Sequence, residues 1–291
     1  MKKINLLDVF FWTFRRNEKD VVNLYDSLSD LMQLATGGFM LNFGFWDKTT
    51  KTPLDAQNNM CKIFGKIAKF APNQHIVDVG SGLSSPAIQW FSDYQPAEIT
   101  CVNINFKQLK KSIKNVSTLL ELQNTQNGNF TFLNSTATML PFEKESVDRV
   151  VSLESAQHFK PLQNFISESY RILKKNGILA MAIPVMLEKH ISPIMKLGLL
   201  SMTWSSEHYS IDFVKSLIKQ EGFYDIDIQK IGPNVYEQLA RFYFENRDSI
   251  KSKISTKYPP YVENILFKSI NKMNEVSQNK IIDYVLISCQ K

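Results

Sequence analysis

The sequence predicts an α/β fold: a doubly wound, mostly parallel sheet with an antiparallel last strand, preceded by N-terminal helices and carrying a helical cap. Three observations predict it. From residue 75 onward, short β-branched runs alternate with segments of helical period, the pattern of strand–helix–strand units. The first of these runs, Ile76, Val77 and Val79 around Asp78, breaks abruptly into Gly80-Ser81-Gly82, so a buried strand ends at a glycine turn. After Pro184 the rhythm changes to long helical stretches, and the last two strands lack a right-handed helical crossover of ordinary length, which turns the closing strand antiparallel.

Taken in order, residues 1–35 read as helical, with Leu24, Leu28, Leu31, Met32 and Leu34 on one face and Asp20 as the cap. Residues 37–47, GGFMLNFGFWD, set three glycines among Phe39, Phe43, Phe45 and Trp46. They read either as an irregular lid or as an apolar loop packed on the domain. A helix from Leu54 to Phe70 leads to the first strand, 75–79, where Pro86 suits the first turn of a helix over 86–94. Then follow a strand at 99–104, a helix over 107–122, strands at 130–134 and 147–153, a helix over 161–173 and a strand at 178–183. Beyond Pro184 come helix over 187–203, a helix from Ile211 to Glu221 stopped by Gly222, a strand at 223–231, helix over 234–278 and a strand at 281–289.

Composition narrows the function. With 44% apolar residues in 291, the chain has ample material for a core. Its 34 Lys and Arg exceed 28 Asp and Glu by six, but they are scattered and not gathered into a run with interleaved aromatics, which argues against a nucleic-acid partner. Cys61, Cys101 and Cys289 are odd in number, far apart and set among apolar residues, so they suit packing and not disulfides or a metal site. The start, MKKINLLDVFFWTFRR, is broken by Asp8 and has no small-residue cleavage site, so it reads as an amphipathic helix. No run approaches 18 apolar residues, and the expectation is a soluble cytoplasmic protein with no membrane span.

The strand, glycine turn and helix make a small-molecule site at the carboxyl edge of the sheet. At the tip of the second strand, Asn103 lies 21 residues after Gly82, where an acid would grip ribose hydroxyls in a dinucleotide-binding fold or a methyltransferase fold alike. The glycine turn continues Leu83-Ser84-Ser85 with no third glycine. These residues leave the two folds open.

The run from Asn134 to Phe159 decides between them. Leu140-Pro141-Phe142, Val147-Asp148-Arg149-Val150-Val151, and Glu168 with RILKKNGILAMAIP resemble the class I S-adenosylmethionine-dependent methyltransferases. Ser152-Leu153-Glu154-Ser155 with His158, LNFGFWD and VNINFKQL resemble the small-molecule branch that includes sterol, tocopherol and sarcosine methyltransferases and sugar O-methyltransferases of antibiotic pathways. The resemblance covers roughly residues 25–231 and implies a Rossmann-like fold. The implied organisation is an N-terminal helical and lid segment at 1–70, a cofactor-binding core at 71–184, and cap insertions with the last two core strands at 185–291.

For the cofactor, S-adenosylmethionine with S-adenosylhomocysteine as product, the resemblance implies contacts from Asp78, Gly80, Ser81, Gly82, Asn103, Ile104, Gln108, Thr136, Ala137, Leu153 and Tyr25, which resembles a lid tyrosine of some relatives and has a core aromatic on a helix face as its alternative reading. Asn176 stands where the family usually has proline, and two departures bear on the cofactor: Asn103 replaces the ribose acid, and Thr136 replaces an adenine-binding Asp. A catalytically inactive binding protein and a nucleotide-dependent oxidoreductase are the alternatives.

The implied partner is a small-molecule methyl acceptor, and a homodimer is left open. His158 is the candidate base for the acceptor, its alternative role being to cap the helix near Pro161. Glu154 either orients His158 or packs at the strand end. His208 is expected at a surface or in a loop contact, and Lys257-Tyr258-Pro259-Pro260-Tyr261 as a helix-breaking turn. The cap aromatics, among them Trp204, Tyr209, Tyr236, Phe242, Tyr243 and Phe244, either close an apolar acceptor pocket or pack helix on helix.

Overall fold

The computed structural model describes residues 17–38, 40–122, 129–187, 198–200, 203 and 205–291. The helical readings for 1–16 and for most of 187–203, together with Phe39 and Trp204, fall outside those residues.

Among the described residues two helices precede the sheet, α1 (Glu18–Thr36) and α2 (Pro53–Ile67), and each opens on a capping box. In α1 the cap is Asn17 and not the expected Asp20. The Asn17 side chain accepts from the Asp20 N–H while the Asp20 carboxylate accepts from the Asn17 N–H, so Asp20 fills the third helical position. The same exchange joins Thr52 and Asp55, with Pro53 in the first turn where its missing N–H costs nothing.

The core follows as β1 (His75–Val79), α3 (Ser85–Tyr94), β2 (Glu98–Val102), α4 (Phe106–Leu122), β3 (Asn129–Leu133), β4 (Val147–Leu153), α5 (Leu162–Ile172) and β5 (Leu173–Met186). A two-residue strand β6 (Tyr209–Ser210) pairs with β5. Then come α6 (Ile211–Glu221), β7 (Tyr224–Lys230), a π-helical turn (Pro233–Glu237), α7 (Gln238–Glu245), α8 (Arg247–Ser255), α9 (Pro260–Gln278) and β8 (Ile282–Gln290).

The sheet order is β3-β2-β1-β4-β5-β8-β7; β1 to β5 pair in parallel, and β8 runs antiparallel to both neighbours, as the missing crossover requires. β5 is longer than expected and passes straight through Pro184, because β8 faces it in unbroken register from Ile178↔Gln290 to Met186↔Ile282. The Pro259-Pro260 pair starts α9, with Pro260 in the first helical turn, so proline here is a beginning as much as a break.

Each face of the sheet has its own core. On one, Phe64 and Trp90 stack with ring centroids 5.6 Å apart beneath α2 and α3, and the Trp90 indole N–H donates to the Cys61 carbonyl. The cap helices α7 to α9 join this same cluster through Tyr243, Ile250, Leu266 and Ile270. On the other, Phe165 and Ile166 of α5 and Val214 and Ile218 of α6 cover Val77, Val150 and Leu179. All three cysteines are buried and free, consistent with packing.

One ion pair ties the cap together: Arg247 Nε donates to fully buried Glu263 at 2.9 Å, and the Tyr243 hydroxyl donates to the same oxygen at 2.9 Å. Glu263→Ala strands both donors, and we expect it to cost about 2–3 kcal/mol of stability. A urea unfolding midpoint equal to wild type would contradict this.

Candidate active site

Short-range geometry builds the glycine turn. Gly80 and Ser81 both donate their N–H groups to the Val102 carbonyl, at 2.8 and 3.1 Å, which ties the end of β1 to the tip of β2. Gly80 has φ +78° and Gly82 φ +56°, backbone values that glycine adopts without penalty. A Cβ on Gly80 would overlap the Ser155 side chain, so this glycine is needed for close approach as well as for the turn.

Beside the turn lies a cavity of about 960 Å3, counting its open mouth. Its wall takes Gly80, Ser81, Gly82, Asn103, Ile104, Gln108, Ala137 and Leu153 from the sheet edge, Tyr25 from α1, and Glu154 and His158 from the end of β4. Eleven of the thirteen residues singled out from the sequence are thus brought to one cavity. Asp78 and Thr136 are not on its wall. The Asp78 carboxyl is buried below the turn, where lost hydration raises its pKa to about 7, and the Thr136 hydroxyl is spent on Glu18 of α1 at 2.6 Å.

Asn103, at the place of the ribose acid, is largely committed within the protein. Its amide N–H2 donates to the Gly82 carbonyl at 3.1 Å and to Gln108 Oε1 at 2.9 Å, while its Oδ1 accepts from the Asn105 N–H. Only the second lone pair of Oδ1 is left for a ligand hydroxyl. Sequence reasoning passed over Asn105, which caps α4 by accepting from the N–H groups of Lys107 and Gln108 and reaches Asp26 of α1 through its own amide. The Asn-Phe-Lys-Gln run was a readable helix-start signal. Met40, Leu41 and Asn42 of the glycine-and-aromatic segment read as a lid or packed loop also join the wall, whereas no sequence signal marks Glu18, Val21 and Val22, which line it from α1.

His158 ends a 3-10 turn, Ala156–His158, that directly follows β4, and it is buried. It caps nothing: the residue before α5 is Pro161, and that helix has no side-chain cap. Its Nε2 lies 3.2 Å from the Tyr25 hydroxyl and its Nδ1 2.8 Å from Ser206 Oγ. Burial, helped by the charge of Lys160, lowers the imidazole pKa to about 4, so the ring is neutral at physiological pH.

Glu154 does not orient His158. Its carboxylate accepts from the Phe43 N–H at 2.8 Å and from the Tyr284 hydroxyl at 2.7 Å, and burial raises its pKa to about 8. Ser206 and Tyr284, invisible as site residues in the sequence, are therefore the partners of the two candidate catalytic groups. His208, expected at a surface or in a loop contact, is buried, which excludes the first, and pairs with the Thr203 hydroxyl at 3.0 Å ahead of β6.

A second cavity, of about 760 Å3 and apolar, lies between α1, the 40–46 segment and the cap helices, and shares Met40, Leu41 and Asn42 with the first. A small one between them is lined by Tyr25, Glu154 and Tyr236 and shares residues with both neighbours. Phe242 and Tyr243 line the apolar cavity, whereas Phe244 faces outward.

Residues 77–181 match the family model described as a methyltransferase domain. The chain carries a methyltransferase domain and is an S-adenosylmethionine-dependent methyltransferase. The methyltransferase is 26% identical, over 96% of its own length and 92% of the relative's, to the erythromycin 3''-O-methyltransferase of Saccharopolyspora erythraea. It is 24% identical to the O-methyltransferase cnsE of Penicillium expansum, over 77% and 79% of the two chains. Its fold matches the cyclopropane synthase MmaA2 of Mycobacterium tuberculosis with a TM-score of 0.81 at 16% identity, covering 96% of this chain and all of that one.

The residues present suit the methyltransferase's cofactor. The turn leaves open space where a Cβ on Gly82 would point, with only Leu41 near, and the Ser81 hydroxyl in the wall is buried with no partner beyond the weak thiol of Cys101. Among the described residues no group of three metal-ligating side chains is assembled, and no helix is long and apolar enough to cross a membrane.

Proposed function

We propose that this methyltransferase delivers its methyl group to a hydroxyl oxygen of an apolar small-molecule acceptor, with Nε2 of His158 taking the hydroxyl's proton. The observation that carries this reading is the buried, neutral imidazole in the cofactor cavity wall, its Nε2 bonded to a tyrosine hydroxyl and its Nδ1 to Ser206. A hydroxyl is a poor nucleophile until its proton has somewhere to go, whereas a neutral amine needs no such base. The O-methyltransferase names of relatives that align along most of the chain support oxygen as the target.

When bound, S-adenosylmethionine supplies an electrophilic methyl on a sulfonium sulfur and departs as the neutral thioether. Gly80, Ser81 and Gly82, with Asn103, Ile104, Gln108, Ala137 and Leu153, hold it at the sheet edge, and Thr136 acts through Glu18 at the mouth. With its hydrogen on Nδ1, the ring of His158 donates to Ser206 Oγ, which leaves the Nε2 lone pair for the acceptor's proton. Tyr25, now 3.2 Å from that nitrogen, marks the place an acceptor hydroxyl takes. As the new carbon–oxygen bond forms, the proton moves to Nε2 and later passes to water. The apolar cavity behind Met40 and Leu41 receives the acceptor's carbon skeleton. Residues 71–184 serve as the cofactor-binding core, the cap as the acceptor's enclosure, and the cytoplasm as the setting, with no nucleic acid involved.

Calorimetry is expected to show micromolar binding of S-adenosylhomocysteine and none of NAD. Incubation of the protein with a metabolite extract and carbon-13 methyl-labelled cofactor should then place the label on oxygen, read from the carbon shift of the product. Label on nitrogen or carbon, or efficient labelling of bulk tRNA or protein with no small acceptor, would overturn the reading.

A further inference from the structure

The cofactor cavity has a partly buried carboxyl in its wall, Glu154, and none of the described residues around it supplies a positive charge. Glu154 accepts from two neutral donors, the Phe43 N–H and the Tyr284 hydroxyl. The other described groups around it are Tyr25 from α1, Cys61 from α2, Gln157 and, in the same cavity wall, His158 from the turn after β4, and Tyr236 from the π-helical turn. All are uncharged at neutral pH, since burial pushes the phenols and the thiol up and the imidazole down.

The placement also costs backbone energy. Glu154 sits at φ +59°, a left-handed value worth about 1–2 kcal/mol of strain for a residue with a side chain. It is held there by its N–H donating to the Ala182 carbonyl at 2.9 Å and by its own carbonyl accepting from the Gln157 amide at 2.8 Å. A carboxyl so fixed, with no cation among the described residues around it, is stabilised in its charged form by a ligand that brings one.

We propose that Glu154 is the residue by which this methyltransferase tells its charged methyl donor from the neutral demethylated product, its carboxylate serving as counter-charge to the sulfonium. The inference rests on the cofactor assignment and adds to it a selectivity that the glycine turn cannot provide. The donor and its product share the adenosine and amino-acid groups and differ in one methyl and one unit of charge. Methyl transfer therefore removes the charge that Glu154 holds, and the product is left facing a carboxyl that takes up a proton again. Product release is favoured by the same group that favours donor binding.

The sign of the pH dependence follows. In the free protein Glu154 keeps its proton up to about pH 8, so a sulfonium that binds below that pH must displace it. Donor affinity relative to product then rises with pH and levels off above about 8. In the unfolded chain the carboxyl ionises near its ordinary value, so this site's contribution to stability declines as pH climbs from about 4.5 toward 8, and bound donor cancels the decline.

Calorimetric titration of the full chain with S-adenosylmethionine and with S-adenosylhomocysteine at pH 6.5, 7.5 and 8.5 tests the proposal. The expected affinity ratio, donor over product, rises by about tenfold between the two lower values and flattens toward the highest. Glu154→Gln should make the ratio independent of pH, apart from titration of the ligands' own amino groups, which is common to both proteins and cancels between them. Its ratio at pH 8.5 should be about 10–100-fold below wild type. Tyr284→Phe removes one donor to the carboxylate and should shift the midpoint of the rise to higher pH.

In wild type alone, buffers of differing ionisation enthalpy should report up to about one proton released per donor bound at pH 7 and none per product. Equal ratios in wild type and Glu154→Gln, or equal proton release for the two ligands, would overturn the proposal while leaving the cofactor assignment intact. Failure of wild type to bind either ligand would instead overturn the assignment.

Discussion

His158→Ala lowers turnover by about two to four orders of magnitude and leaves S-adenosylhomocysteine affinity nearly unchanged. The ring lines the cavity and, with its hydrogen on Nδ1, ends in an Nε2 whose lone pair faces a hydroxyl, so its removal takes away the proton's destination without disturbing the glycine turn. Single-turnover rates with saturating cofactor, set beside calorimetry, separate the two effects. An alanine variant with near-wild-type turnover would take His158 out of the mechanism and leave the methyltransferase assignment standing. The pH profile is a second reading of the same group. Ordinary imidazole titrates near 6.5, and on that basis the rate would climb through neutrality. Burial and Lys160 bring this ring to about 4, so it is already neutral throughout the working range and the limb from His158 falls near pH 4 instead. A rise in kcat/KM for the methyl donor that levels off above about pH 8 would belong to Glu154 of the free protein.

Gly80→Ala should abolish measurable cofactor binding and lower stability by about 2–5 kcal/mol. Two costs add. A residue with a Cβ at φ +78° carries about 1–2 kcal/mol of backbone strain, and the new methyl overlaps the Ser155 side chain, an overpacking worth about 1–3 kcal/mol. Ser155 has little freedom to yield, because its hydroxyl donates to the Val79 carbonyl and pairs with Ser152, both at 2.7 Å. The turn must therefore shift, and with it the peptide groups of residues 80–82 that line the cavity. Gly37→Ala is the control: it has the same φ but open space around the added carbon, so only the backbone cost applies. Equal unfolding midpoints for the two variants would show that Ser155 gives way and that close approach at Gly80 is not needed.

Much of the core was legible in the sequence because its signals are local. β1 and β4 were expected at the observed residues, as was the helix from Ile211 to Glu221, since each is a run of matched period bounded by its own punctuation. The antiparallel β8 followed from an absent crossover, a property of chain order. The glycine turn, the tip of β2 and the end of β4 converge on one cavity because a parallel sheet puts all its strand ends on one edge. That convergence is why Gly80, Asn103, Glu154 and His158 could be named as neighbours from sequence alone.

What each of those side chains touches was decided by tertiary structure. The partners lie far along the chain: Tyr284 is 130 residues from Glu154, Tyr25 is 133 from His158, and Ser206 is 48 from it. None carries a local signature that ties it to its partner. The same distance hides the electrostatics. An ordinary imidazole and an ordinary carboxyl become a ring neutral down to about pH 4 and an acid protonated up to about pH 8 only because α1, the 40–46 segment and β8 close over them and exclude water. Composition and period determine which residues stand at the sheet edge; burial, which exists only after the chain has packed, determines their charge.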